Sequence, residues 1–162
     1  MLTAHVPAGY ILGRMVPRTV RWLMPAALLG AALPDTDMLW FHLVDHGHVH
    51  HHRYWLHIPA FWAALALVTL PILQWRGLLA TGLVFFASIL LHLCLDTIAG
   101  GIMWLYPADD RLLALVEVPP RYGNWMISFM LHWTFLLELV TWAVALSLFV
   151  SHQIRGGHAQ QP

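Results

Sequence analysis

Twelve histidines stand in a chain of 162 residues, and several fall where they could share an ion with aspartates. In the run His92-Leu-Cys-Leu-Asp96 the two polar residues are four apart, so on a helix both side chains rise from one face within reach of a single cation. The same spacing also serves a plain His–Asp hydrogen bond at a helix end. Pro34-Asp35-Thr36-Asp37 sets two carboxylates two residues apart just past an apolar segment. That pattern suits one metal ligand beside a general base or supporting carboxylate, and it equally suits a helix cap. His46, His48, His50, His51, His52 and His57 crowd a short stretch between these motifs. Such a tract either gathers metal or is a solvated loop that binds it adventitiously. Arg53, within the tract, offers a rigid fork of donors to phosphate or carboxylate, or snorkels to lipid headgroups.

Other chemistries find less support. Ser88, Ser128, Ser147 and Ser151 all lie outside any G-x-S-x-G turn, and glycine motifs for phosphate or dinucleotide are absent. Cys94 is the single cysteine, so no internal disulfide forms, and its apolar surroundings suggest packing. His132 is either a further ligand or an interhelical hydrogen-bond donor, and Glu138 reads as a buried structural carboxyl.

The elements that must position these residues are membrane helices. Of the chain, 59% is hydrophobic and only 10% charged, against about 25% charged in soluble domains, so water is a poor solvent for its surface. Eight basic and eight acidic residues, with no lysine, leave no electrostatic footprint for nucleic acid. A hydrocarbon core needs roughly 20 helical residues, and Trp55 to Trp75, Leu78 to Ile98 and Trp125 to Val150 each supply them. A shorter apolar run, Trp22 to Leu33, pairs with Val6 to Val16 as a helical hairpin turning at Pro17, and Met38 to Val44 follows the aspartates. The expectation is an all-α polytopic membrane bundle of about four spans plus a short N-terminal helix forming the hairpin. Residues 1–151 make one membrane-embedded domain, with a disordered tail over 152–162. The first apolar stretch precedes its arginines, which is not signal-peptide order, so it is expected to stay in the mature chain.

Arg76-Gly77 alone joins two long runs, which makes them antiparallel neighbours. Tracing the faces from there brings Asp35 and Asp37, the histidine tract, the end of the Leu78 run and the 100–124 loop to one side of the membrane. That loop is either an interfacial lid or a solvated connector. Five arginines (14, 18, 21, 76 and 155) fall on the opposite side and three (53, 111 and 121) on this one, which points the polar cluster outward. Tryptophans 40, 55, 104 and 125 near the cluster and 22 and 75 at the far side fit interfacial belts.

His5 with Gly9, Leu33-Pro34-Asp35-Thr36-Asp37, His52-Arg53 with His57, and His92-Leu-Cys-Leu-Asp96-Thr97 followed by Gly101 and Trp104 to Pro107 occur in that order in one polytopic chain. In this the chain resembles the YdjM-like family of inner-membrane-associated metal-dependent hydrolases, from His5 to at least Pro107. The segment Asn124-Trp125 through His132-Trp133 to Glu138 is similar to one branch of it. The resemblance implies a bacterial-type inner (plasma) membrane location and a site made of His5, Asp35, Asp37, His52, His57, His92 and Asp96. Tyr54, Leu56 and Ile58 depart from the small or hydroxyl residues the family tends to carry around its Arg-Gly and Thr-His-Ser positions, so support for His57 differs here.

The reaction expected is hydrolysis of a phosphoester or lipid-like substrate at the membrane interface by a metal-activated water. His5, Asp35, His52, His57, His92 and Asp96 are the candidate ligands, and Asp35, Asp37 and Arg53 the candidate catalytic residues. Mixed imidazole and carboxylate donors fit zinc, with manganese or iron also compatible. Membrane lipids are the expected partners. A metal carrier or sensor, with Glu138 and His132 forming a path inward, and a structural protein tied by polar contacts are the competing readings.

Overall fold

The computed structural model describes Met1 and residues 3–158. Among the described residues, seven helices make up the fold: α1 His5–Met15, α2 Leu23–Ala32, α3 Met38–Leu43, α4 Pro59–Trp75, α5 Leu79–Ala99, α6 Trp125–Met130 and α7 Phe135–His158. Short 3-10 turns at Pro34–Asp37, His51–Arg53 and Trp55–His57 link them. Among the described residues the only β-pairing is a single bridge between Ile102 and Leu113. The class is all-α, as the periodicity requires.

Among the described residues, two helices are long and apolar enough to cross a membrane: α5, with mean hydropathy 2.0, and α7 over Phe135–Ile154, with mean hydropathy 1.7. α2 and α4 are apolar but shorter. The run expected to begin at Trp55 starts its helix only at Pro59, because Trp55–His57 is spent on a 3-10 turn that places His57. The run expected from Trp125 to Val150 is not one helix. It breaks between Met130 and Phe135, where His132 Nδ1 turns to Thr134 Oγ1 at 3.0 Å. Helical backbone then continues to His158, past the His152 expected to begin a disordered tail, and residues 159–162 lie outside the described ones.

α5 is the central element, packing on α1, α2 and α4, while α7 lies against α1. Only 11% of the α7 span is covered by protein, and α4 exposes Leu67, Val68, Ile72 and Trp75. Apolar faces this large are sustained by lipid rather than water. Cys94 faces outward from α5 as well, so it does not fill the core.

The seam that matters for function joins α2 to α5. Small residues let the backbones meet, as in membrane helix pairs generally. A Cβ on Gly30 would collide with the Phe85 carbonyl oxygen and lie 2.9 Å from Ser88 Cβ; one on Gly9 would lie 2.5 Å from Ala31 Cβ. At that distance Ser88 Oγ donates to the Ala27 carbonyl at 2.6 Å and His92 Nδ1 to the Ala31 carbonyl at 2.7 Å. Donors four apart on α5 thus meet acceptors four apart on α2, and this sets the register of the two helices. Gly30→Ala should therefore lower the unfolding free energy in detergent by about 1–3 kcal/mol through overpacking. A thermal or denaturant titration with an unchanged midpoint would refute the close seam.

Candidate metal centre

The cluster sits where four chain segments converge at one end of α5. α1 begins with His5, whose ring stacks on that of His92 at 3.7 Å between centroids. The 3-10 turn after α2 carries Asp35 and Asp37, with Pro34 at its first position. Two successive 3-10 turns carry His52 and His57, and α5 carries His92 and Asp96 in its last three turns. His5, Asp37, His52, His57, His92 and Asp96 are buried, while the Asp35 side chain is 42% exposed and marks the open side.

Hydrogen bonds decide which imidazole nitrogens face inward. His57 Nδ1 meets Asp37 Oδ2 at 2.6 Å, His92 Nδ1 the Ala31 carbonyl, and His52 Nδ1 the Gly101 carbonyl at 2.8 Å. With the Nδ1–H donated in each case, every Nε2 faces the interior, the arrangement metal-ligating histidines adopt once an ion displaces any Nε2 proton. His5 differs: its Nε2 lies 3.1 Å from both Asp96 Oδ1 and the Met1 carbonyl, and its Nδ1 makes no hydrogen bond. The Met1 amino group also donates to Asp96 Oδ1, at 2.6 Å.

The inward atoms form a cage. His57 Nε2 and His92 Nε2 are 3.4 Å apart; from Asp96 Oδ2 they are 3.6 and 3.0 Å, and from Asp35 Oδ1 3.9 and 3.6 Å. A tetrahedral ion with ligands at 2.0–2.1 Å needs donors about 3.3–3.4 Å apart. These five edges of a tetrahedron are close to that requirement. Asp96 Oδ2 is buried with no hydrogen-bond partner, which a cation held by this donor set would satisfy. Three groups could hold a metal: Asp35, His57 and His92; His5, His92 and Asp96; and His51, His52 and His57.

Burial by itself would lower the His57 pKa, but the hydrogen bond to Asp37 and the carboxylate of Asp96 outweigh it and raise it to about 9. Burial dominates at His52 and His51, holding them down at about 3 and about 4, so both are neutral donors at physiological pH.

Arg53, expected at the site, does not join it. Its side chain is 45% exposed and lies 3.8 Å from Asp110, because the His51–Arg53 turn that sends His52 inward sends its neighbour outward. His132 is held at the α6–α7 break, and Glu138 accepts from Thr3 N and Thr3 Oγ1 at 2.9 and 2.7 Å. Two contributors escaped the sequence reading. His51 adjoins His52 and His57, and its membership of the dense tract was the available signal. The 100–124 segment supplies the Gly100 and Gly101 carbonyls that orient His52, then folds back on α5 through Leu115 N to the Thr97 carbonyl and Trp104 Nε1 to Thr97 Oγ1. Nothing in its composition announced that task.

Fold and site together define an α-helical membrane protein with a buried histidine–aspartate cluster, able to hold a metal ion, at the end of its central helix. The chain belongs to the YdjM inner membrane protein family, whose sequence model matches residues 1–159. No curated protein and no solved structure matches it.

Two outcomes follow from this geometry. Asp37→Asn, which frees His57 to turn or change tautomer, should weaken zinc binding about 10–100-fold in a competition titration; unchanged affinity would remove Asp37 from any supporting role. In chelator-treated protein, His57 binds its proton more tightly folded than unfolded, so its stabilisation is complete below about pH 6.5 and lost on rising through about 9. Unfolding midpoints should fall over that window, and His57→Gln should flatten the decline.

Proposed function

We propose that the protein is a membrane-embedded metal-dependent hydrolase acting on a phosphoester or lipid-like substrate at the bilayer interface. The observation that carries this is the cage: three buried donors, His57 Nε2, His92 Nε2 and Asp96 Oδ2, lie 3.0–3.6 Å from one another, and the half-exposed Asp35 stands beside them, 3.9 and 3.6 Å from the two histidines, on the side reachable from outside. Three protein ligands with an accessible fourth position is the pattern of catalytic zinc sites, whereas structural sites close all four. A divalent cation there supplies Lewis-acid polarisation and makes water nucleophilic near neutral pH. Zinc suits the donors best, with manganese or iron compatible.

In this reading the chain's own residues divide the work. Asp37 fixes the His57 ring, and the Ala31 carbonyl fixes His92. Asp35, half-exposed, takes the proton from the attacking water as oxygen bonds to phosphorus; the ester oxygen departs and acquires a proton from solvent. The lipid-like substrate is supported by an apolar groove of about 430 Å³ between α1 and α7, lined by Val6, Pro7, Tyr10, Trp142 and Phe149, which begins one residue beyond His5. We place α4 across the bilayer beside α5 and α7, since its 17 residues reach the lower limit, whereas α2, with 10 residues, is too short to span alone and enters the bilayer as a hairpin with α1. The arginine distribution puts the cluster on the outer side.

Tag-free protein purified in detergent should carry near-stoichiometric metal that a folded His92→Ala/Asp96→Ala variant loses. Asp35→Ala should lower kcat on a phosphodiester by about 10²–10⁴ while retaining metal. Equal or absent metal in both proteins would sink the hydrolase. Metal uptake into vesicles that fails in Glu138→Gln, with no turnover in the wild type, would establish a carrier instead.

A further inference from the structure

The cage does not use all the imidazoles around it. His52 Nε2 lies 3.7 Å from Asp96 Oδ2, the same oxygen that His92 Nε2 approaches at 3.0 Å. His51 packs on His52 with ring centroids 4.0 Å apart, and donor atoms of His51, His52 and His57 all fall within 4.8 Å of one another. His57 has a single inward lone pair, because its Nδ1 is held by Asp37, so it serves one ion only. What remains for His51 and His52 to share with the cage is Asp96, the one carboxylate within reach of His5, His52, His57 and His92 together.

We propose that a second divalent cation binds beside the cage, held by His51 and His52, with Asp96 shared between the two ions. This deepens the hydrolase reading and rests on the metal centre that reading invokes. Charge supports it. Asp35, Asp37 and Asp96 bring three negative charges to the cluster and the Met1 amino group one positive; one divalent ion leaves it neutral, and a second makes it net positive. A phosphoester is itself an anion, so only the doubly loaded site attracts it. Two ions about 3.5–4 Å apart also clamp the attacking and leaving oxygens of an in-line displacement. The arrangement assigns the tract a division of labour: His51 and His52 are ligands, whereas His46 and His48, exposed at the preceding turn, are not.

The test is metal stoichiometry on the full chain in detergent, tag-free, stripped with chelator, reloaded with zinc and desalted. Two ions per chain are expected in the wild type, one in His51→Ala, and two in His46→Ala/His48→Ala. In parallel, manganese-loaded wild type should give an exchange-coupled paramagnetic resonance spectrum, and manganese-loaded His51→Ala that of isolated ions. The wild-type spectrum does not depend on how well any variant folds. One ion in the wild type with an uncoupled spectrum overturns the second site and leaves the cage standing. Two ions that persist in His51→Ala overturn the assignment to His51, and no ion at all overturns the metal centre itself.

Discussion

A carboxylate buried at the end of a membrane helix is an electrostatic liability, and Asp96 is 1% exposed. The low dielectric around it magnifies both the cost of leaving its charge unmet and the attraction of whatever meets it. The structure answers by turning positive or polarisable groups from every surrounding segment toward it: the chain's first amino group, His5 from α1, His52 and His57 from consecutive turns, and His92 from its own helix. Yet one of its oxygens stays without a donor. An unmet acceptor able to take a cation is thus built into the cluster, and the neighbouring elements are arranged around it.

That arrangement depends on helices approaching more closely than ordinary side chains permit. Gly9, Ala27, Gly30, Ala31 and Ser88 form the floor beneath the cluster, and His92 is anchored only because α2 lies near enough to offer a carbonyl. Polar side chains inside an apolar bundle find partners in backbone carbonyls or in one another, since no water is at hand. The same rule accounts for Glu138, fully buried and tied to Thr3, which in turn accepts from Trp142 Nε1 at 3.1 Å. Glu138 therefore fastens the segment leading into α1, and so supports the position of His5, without facing the cluster.

Much of this was legible beforehand. The i, i+4 pair His92 and Asp96 shares a helix face by geometry alone, and the short connection through Arg76-Gly77 forces α4 and α5 antiparallel, which returns His57 to the same end. The hairpin of α1 and α2 brings His5 back beside Asp35. Less legible were the breaks: no periodicity separates α6 from α7, since Leu131 and Trp133 are as apolar as their neighbours and the interruption is set by local hydrogen bonding at His132 and Thr134.

The sequence by itself determined an all-helical, lipid-facing chain with its aspartates and most of its histidines concentrated toward one end, because hydropathy and helical period are properties of local strings of residues. Only the tertiary structure decided which histidine nitrogen faces inward, that Asp37 supports His57 while Asp35 stays open, and that Arg53 turns away beside a buried His52. Those choices are settled by partners 20 to 61 residues distant, such as the Gly101 carbonyl for His52, Asp37 for His57 and the Ala31 carbonyl for His92. Hydrogen-bond direction between distant segments leaves no trace in composition or spacing, so the donor set could be gathered from the sequence but its orientation could not.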